Sequence, residues 1–430
     1  MDNTLYVVVL AVVAAVLVGV TVQKMRAVRN REDFLLAGRS LPWHVLVFTL
    51  LSSWIGAGSL FAGGEAAYRN GFAAMWQPAG GWLGLILIPF VAARARRFSQ
   101  VTVPELLESR FHMAARVMAT LAIVLSYTMI TCNQFKAGGD VLHLIFGVER
   151  TLGIYIIASF VIVFTAAAGM ASVAYLDRII GGLVTATVLM AVPLLLSSVG
   201  GVEGLHAALP ADRFTVFGPM TPDQALGLLL LGMLLLIGNQ GMYQKFFSAR
   251  SERDAQLAVW GWIIGTLVLE TALIALAVIG SAQFRIDNPR EIIPVSARQG
   301  LPAVIGALLI GGIFAKVVST ANNYLFSPAT NLIHDVYERF LRPGSSERET
   351  LIVSRLAVIG LGVLAVLMAT RIESILGAVV TVAWNWMGYE LDAVYPALAA
   401  SVAALIVVSL ATPAPDEAKW RPFFTEETAA

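Results

Sequence analysis

Apolar residues run through this chain in blocks of about 20, with the charged residues gathered between them. The blocks fall at 4–23, 42–63, 74–94, 116–146, 151–171, 178–199, 223–243, 256–281, 301–334, 351–370 and 393–412, and a shorter apolar fragment lies at 374–388. Each full block is long enough to cross a hydrocarbon core as a helix, and none shows the two-residue alternation of a membrane β-strand. The pattern predicts an all-α polytopic membrane helix bundle, a single integral membrane domain over 1–430. Hydropathy leaves open whether 374–388 spans the membrane or is re-entrant, and with it the side of the C-terminus.

Two blocks carry Gly and polar residues where lipid would not tolerate them. One run is Ser52-Ser53-Trp54-Ile55-Gly56-Ala57-Gly58-Ser59, and the other is Ile237-Gly238-Asn239-Gln240-Gly241. Gly weakens a helix interior, and broken backbone survives in a membrane only inside protein or along a watery cavity. The runs fall in the first helices of two chain halves, 42–199 and 223–388. Interrupted helices in corresponding positions point to a transporter site between inverted repeats. Close helix packing through small residues is the alternative reading of either run alone.

Composition narrows the class. The chain is 58% hydrophobic and 13% charged, with a mean hydropathy of +0.77, too little charge to cover a soluble domain. The net charge of +1 conceals a segregation. Lys24, Arg26, Arg29, Arg31 and Arg39 share the first loop, and Arg94, Arg96, Arg97 and Arg110 the third. Later odd-numbered loops hold Arg178, then Lys245, Arg250 and Arg253, then Arg339, Arg342 and Arg348. These loops are assigned to the cytoplasm, with the N-terminus outside, in a bacterial-type inner membrane. The first block lacks a basic lead-in and reads as a spanning helix, not a cleaved signal. Cys132 sits in an apolar block as a small core residue. No nucleophile–base pair or metal-ligand cluster suggests an enzyme, and no cofactor is expected. The expected partners are the lipid bilayer and a small-molecule solute. Nothing points to nucleic acid or to an obligate protein partner.

Several motifs occur in a set order. Asp33-Phe34-Leu35-Leu36-Ala37-Gly38-Arg39-Ser40-Leu41-Pro42 precedes the first interrupted block, and Gly64-Glu65-Ala66-Ala67-Tyr68-Arg69-Asn70-Gly71 follows it. Thr102-Val103-Pro104-Glu105 runs on to Arg110-Phe111, Gln244-Lys245 to Ala249-Arg250, and Ser319-Thr320 to Asp335-Val336-Tyr337. In these segments the chain resembles the sodium:solute symporter family, and its Ser-Trp-Ile-Gly run is closer to the choline-transporter-like branch. The resemblance covers about 33–375 and resumes over the last block. It implies a LeuT-type fold of five helices plus five in inverted topology, with one extra helix (4–23) ahead. Repeat one would be 42–199, repeat two a shortened 223–388, and the terminal helix 393–412. It also implies secondary active, symport-like uptake of a small organic solute. A non-transporting solute binder or a degenerate paralogue is the alternative, because about two helices of the family pattern are compressed into 374–388.

The resemblance places a coupling-ion site at Ser52 and Ile55 of the first core helix and at Lys316, Ser319 and Thr320 of the eighth. Sodium, a hard cation, needs several oxygen ligands there. Lys316 departs from the family, which has a small residue at that position. It lies mid-span, one turn before the two hydroxyl residues and on their face, where a charge is costly without partners. Two readings follow. Either the ammonium takes the place of sodium, with deprotonation as a route to proton coupling, or the side chain reaches a cytoplasmic water path without coupling. Asn322 stands where the family often has an acid. Asp177 retains the family's carboxylate on the ion path, although at a helix start it would also complement the helix dipole. The substrate candidates are Trp54, Gly58, Ser59, Glu65, Gln77, Asn239 and Gln240. Trp54 would offer an aromatic wall. Lys136 and Asp140 are spaced to pair on the helix surface.

Overall fold

The computed structural model describes residues 4–25, 31–90, 92, 102–371 and scattered positions between 395 and 410. The fragment at 374–388, most of the last block and the basic residues Arg26, Arg29, Arg94, Arg96 and Arg97 lie outside the described residues.

A peripheral helix comes first, α1 (Thr4–Met25). The first interrupted block forms α2 (Trp43–Trp54), a π-helical turn at Gly58–Ala62 and α3 (Gly63–Asn70). The chain bends by 54° at the break. Gly71, at φ 64°, then ends α3 and releases the chain into α4 (Trp76–Leu87). A short helix, α5 (Val103–Arg110), is started by Thr102, whose hydroxyl accepts the Glu105 N–H. Next comes α6 (Met113–Phe146), closed by Gly147 in the left-handed region. It is followed by α7 (Arg150–Ala167) and α8 (Gly169–Ser198). The second interrupted block gives α9 (Pro222–Ile237) and α10 (Gln240–Phe247), separated by Gly238 and Asn239. Last come α11 (Glu252–Gln283), α12 (Ala303–Leu341) and α13 (Glu347–Arg371). Eight described helices are long and apolar enough to cross a membrane, or nine with the bent pair counted as one span.

Burial decides which helix is central. The apolar window of α12 is 72% buried, against 22% for α1, so α12 is surrounded by protein and α1 faces lipid on most sides. α12 packs against α8, α6, α1 and α2. A polar clasp ties its far end to α5 and α6. Thr102 Oγ1 and Arg116 Nε each donate to Asp335 Oδ1 at 2.8 Å. Arg116 Nη1 also donates to Glu108 Oε2 at 2.6 Å, and Arg339 Nη2 to Glu108 Oε1 at 2.8 Å.

Three expectations are corrected. The loop expected between 171 and 178 does not exist. The chain stays helical from Arg150 to Ser198 except at Gly169 (φ 63°, ψ −163°), where a Cβ would lie 2.6 Å from the Phe34 carbonyl oxygen. Asp177 and Arg178 therefore sit within α8, with Asp177 buried, and dipole complementation at a helix start does not apply to it. Lys245, counted above among loop charges, is 1% exposed within α10. Apart from these corrections, Asp140 pairs with Arg150 at 3.1 Å and Arg150 also reaches Glu291 at 2.7 Å, which links α6, α7 and the segment before α12.

Candidate functional site

The break in α2 starts at Ile55, whose backbone leaves the helical region (φ −85°, ψ 110°). Residues 55–57 thereby free carbonyls and N–H groups that need partners. α12 supplies some of them. Thr320 Oγ1 lies 3.0 Å from the Ser52 carbonyl, 3.2 Å from that of Ile55 and 2.9 Å from that of Lys316. The approach requires a glycine, because a Cβ on Gly56 would sit 2.6 Å from Thr320 Cγ2. α6 supplies another partner, since the Ala57 N–H donates to Gln134 Oε1 at 2.9 Å.

Lys316, Ser319, Thr320 and Asn323 recur every three or four residues and so share the face of α12 turned to this break. Lys316 is fully buried, and its Nζ donates to Ser52 Oγ at 2.8 Å. One turn further on, Ser319 donates to Asp177 Oδ1. Asp177 Oδ2 accepts Thr49 Oγ1 and, at 3.2 Å, Asn323 Nδ2. The ammonium of Lys245 bonds Ser53 Oγ and, at 2.7 Å, Asn323 Oδ1. Asp177 lies within electrostatic reach of both lysines. The cluster therefore holds two ammonium groups and one carboxylate, joined through five hydroxyl or amide side chains, and buried polar groups of this kind survive only when so connected. All five residues named for the coupling ion, and Asp177 with them, converge here. Lys245, Thr49, Ser53 and Asn323 are members that sequence reasoning did not assign to the site. Asn322 faces elsewhere and accepts a hydrogen bond from Thr165 at 2.7 Å.

On the other side of the break lies a cavity with about 600 Å3 of empty space, part of it open to solvent. Its walls include Trp54, Gly58, Ser59, Gln77, Pro78, Glu270 and Tyr324. Four of the seven substrate candidates thus line it. Glu65, Asn239 and Gln240 are not among its lining residues. Glu65 pairs with Arg69 on the surface of α3 at 3.0 Å. Asn239 starts α10, its Oδ1 accepting the Met242 N–H and the Tyr127 hydroxyl, and its Nδ2 donates to the Tyr324 hydroxyl at 3.2 Å. Gln240 Oε1 accepts the Val103 N–H at 2.8 Å and anchors α5. Both residues tie the second break to its surroundings, and Asn239 together with the Tyr127 hydroxyl, which accepts the Gly241 N–H, serves backbone donors that the interruption frees. Glu270 and Tyr324 were not foreseen. A lone acid inside an apolar block was the available signal for Glu270.

Comparison with known proteins agrees with this architecture. The profile of the Sodium:solute symporter family matches residues 34–410. The Osmoregulated proline transporter OpuE of Bacillus subtilis (strain 168) is 23% identical over 374 residues, which are 83% of this chain and 76% of that protein. High-affinity choline transporter 1 of Drosophila melanogaster is 25% identical over 366 residues, 81% of this chain but 58% of the longer relative. Among solved structures, a Na+-coupled sialic acid symporter in a substrate-bound outward-open state superposes with a TM-score of 0.79 at 18% identity, over 87% of this chain and 84% of that one. The fold is the LeuT type, with α2–α3 and α9–α10 as its paired broken helices. Coverage, fold and the order of the motifs agree: this chain belongs to the sodium:solute symporter family.

Proposed function

We propose that the protein is a secondary active transporter that takes up a small organic solute across the inner membrane, with the ammonium of Lys316 standing where a coupling sodium ion would bind. The N-terminus faces outward, 42–199 and 223–388 form the two repeats, and 393–412 is the terminal helix. The solute binds in the cavity between the broken helices. The observation that carries the reading is the 2.8 Å bond from Lys316 Nζ to Ser52 Oγ, set beside a Thr320 hydroxyl already within 3.2 Å of the Ser52, Ile55 and Lys316 carbonyls. A sodium ion drawn to those oxygens would be repelled by the neighbouring ammonium. Two unit charges about 4 Å apart repel by on the order of 4 kcal/mol at an effective dielectric constant of 20, enough to remove binding that is useful at ordinary concentrations.

The test is uptake of labelled choline and labelled proline, the solutes named for the relatives, into liposomes holding the purified chain. External sodium is replaced by potassium or N-methylglucamine. Uptake that is indifferent to the replacement supports the reading. Steep sodium dependence would remove the Lys316 substitution while leaving transport in place. Binding of a solute without any uptake would favour a solute-binding relative that does not transport.

A further inference from the structure

We infer that the cavity selects solutes bearing a cationic amine, with the carboxylate of Glu270 as the group that recognises the charge. This rests on the reading of the cavity as the solute site and narrows its substrate class.

Glu270 lies deep in α11, 5% exposed, and it lines the cavity. Both of its oxygens face donors. Oε1 accepts Trp54 Nε1 at 2.8 Å and lies 3.5 Å from Ser59 Oγ, while Oε2 accepts Trp82 Nε1 at 3.2 Å. An indole N–H can only donate. Two indoles, one from each of two helices, thus hold the carboxyl group as an acceptor, an arrangement that a bound cation would complete as an ion pair. Among the described residues, no Lys, Arg or His pairs with it. A buried carboxylate supported by neutral donors alone is short of a countercharge, and this one lines the cavity.

The surrounding wall fits the same ligand. Trp54 is fixed at both ends: its Nε1 is spent on Glu270, and its ring packs so closely on Gly81 that a Cβ there would lie 2.7 Å from it. Its ring is therefore held in the cavity wall, where an ammonium placed over its face would gain from the ring quadrupole. Among the described residues, no basic side chain lines the cavity to receive a carboxylate on the solute. The favoured solute is thus a net cation rather than a zwitterion or an anion.

The test uses the full-length chain in detergent or nanodiscs and reads ligand-induced shifts in melting temperature. The probes are choline, ethanolamine and tetramethylammonium, with 3,3-dimethylbutan-1-ol as the uncharged shape-mate of choline, proline as zwitterion and pyruvate as anion. At least one cation is expected to bind, and the uncharged shape-mate, the zwitterion and the anion are expected to bind roughly 30-fold or more weakly. Glu270→Gln keeps the shape and removes the charge, and it should weaken the cation by a similar factor without giving the neutral probe an advantage. Equal binding of choline and its neutral shape-mate overturns the assignment. So does unchanged cation binding by Glu270→Gln, and so does a folded wild-type protein that binds none of the three cations. If Glu270→Gln does not fold, the charged and neutral probes on the wild-type protein decide alone. Cation binding without uptake into liposomes would sink the transport reading and leave this one standing. Undiminished uptake of an uncharged or anionic solute by Glu270→Gln would do the reverse.

Discussion

Lys316 Nζ and Ser52 Oγ meet at 2.8 Å across the break in α2, so a buried cation on one helix is held by a hydroxyl beside the unwound backbone of another. If the ammonium fills the cation's place, removing it should return the place to an ion. Lys316→Ala leaves the Ser52, Ile55 and residue-316 carbonyls and the Thr320 hydroxyl intact. The wild-type protein is expected to melt at the same temperature in sodium and in potassium chloride. The variant is expected to be stabilised selectively by sodium, in proportion to the logarithm of its concentration once binding saturates. A variant that is equally indifferent to both ions would leave Lys316 as a buried lysine with no connection to an ion site.

Among the described residues, Asp177 is the sole carboxylate in the cluster with Lys245 and Lys316, and it accepts bonds from Ser319, Thr49 and Asn323. Neutralising it leaves two buried ammonium groups without an anion, and removing one partner of such a set costs about 3–5 kcal/mol. Asp177→Asn should therefore express poorly and melt well below the wild-type protein. Lys316→Met placed in the same chain should recover part of the loss, because one of the uncompensated charges goes with it. The double-mutant cycle measures this coupling directly. Strictly additive losses would mean that the carboxylate and the lysine do not sense one another.

How far the sequence foretells this site depends on what kind of signal each residue leaves. The breaks at 55–57 and 238–239 are legible because Gly and polar residues cluster where a span should be apolar. Lys316 is legible because a charge in mid-span is costly unless it finds partners. Lys245 escapes notice, since it sits near a block boundary beside Arg250 and reads as a loop charge until the helix is seen to carry it inward. The Gly169 break is hidden among alanines, where a single glycine reads as packing. It is its close approach to Phe34, a contact far away in sequence, that requires a residue without a Cβ. The partnership of Glu270 with Trp54 and Trp82 joins three helices, and no local spacing encodes it.

Gly56 tests the closeness of the two helices. A Cβ there would lie 2.6 Å from Thr320 Cγ2 and 2.8 Å from its Oγ1. Gly56→Ala must push α12 away or rotate the threonine off the carbonyls it now serves. Overpacking of this kind costs about 1–3 kcal/mol, and solute uptake should fall with it. Thr320→Ser removes the methyl group but keeps the hydroxyl, so the double variant should regain part of the stability that Gly56→Ala loses. Equal melting temperatures for Gly56→Ala with and without Thr320→Ser would show that the break tolerates the methyl group by another route.

Glu108 gives a pH dependence whose direction can be fixed. Partial burial pushes its carboxyl up, but hydrogen bonds and charge from Arg116 and Arg339 outweigh this and hold it below the usual range for Glu. A carboxyl group lower in the folded protein than in the unfolded chain contributes its full stability above about pH 4.3, its unfolded value. The contribution is lost as pH falls further, through the folded value. Acidification should therefore loosen the clasp that joins α5, α6 and the end of α12, since Arg116 and Arg339 meet there on one carboxylate. Glu108→Gln should melt below the wild-type protein at neutral pH and approach it in acid, as the wild-type carboxyl is neutralised too. Melting curves of both proteins across that range check the prediction. A gap between them that stays constant with pH would mean that the glutamate acts by packing and not by charge.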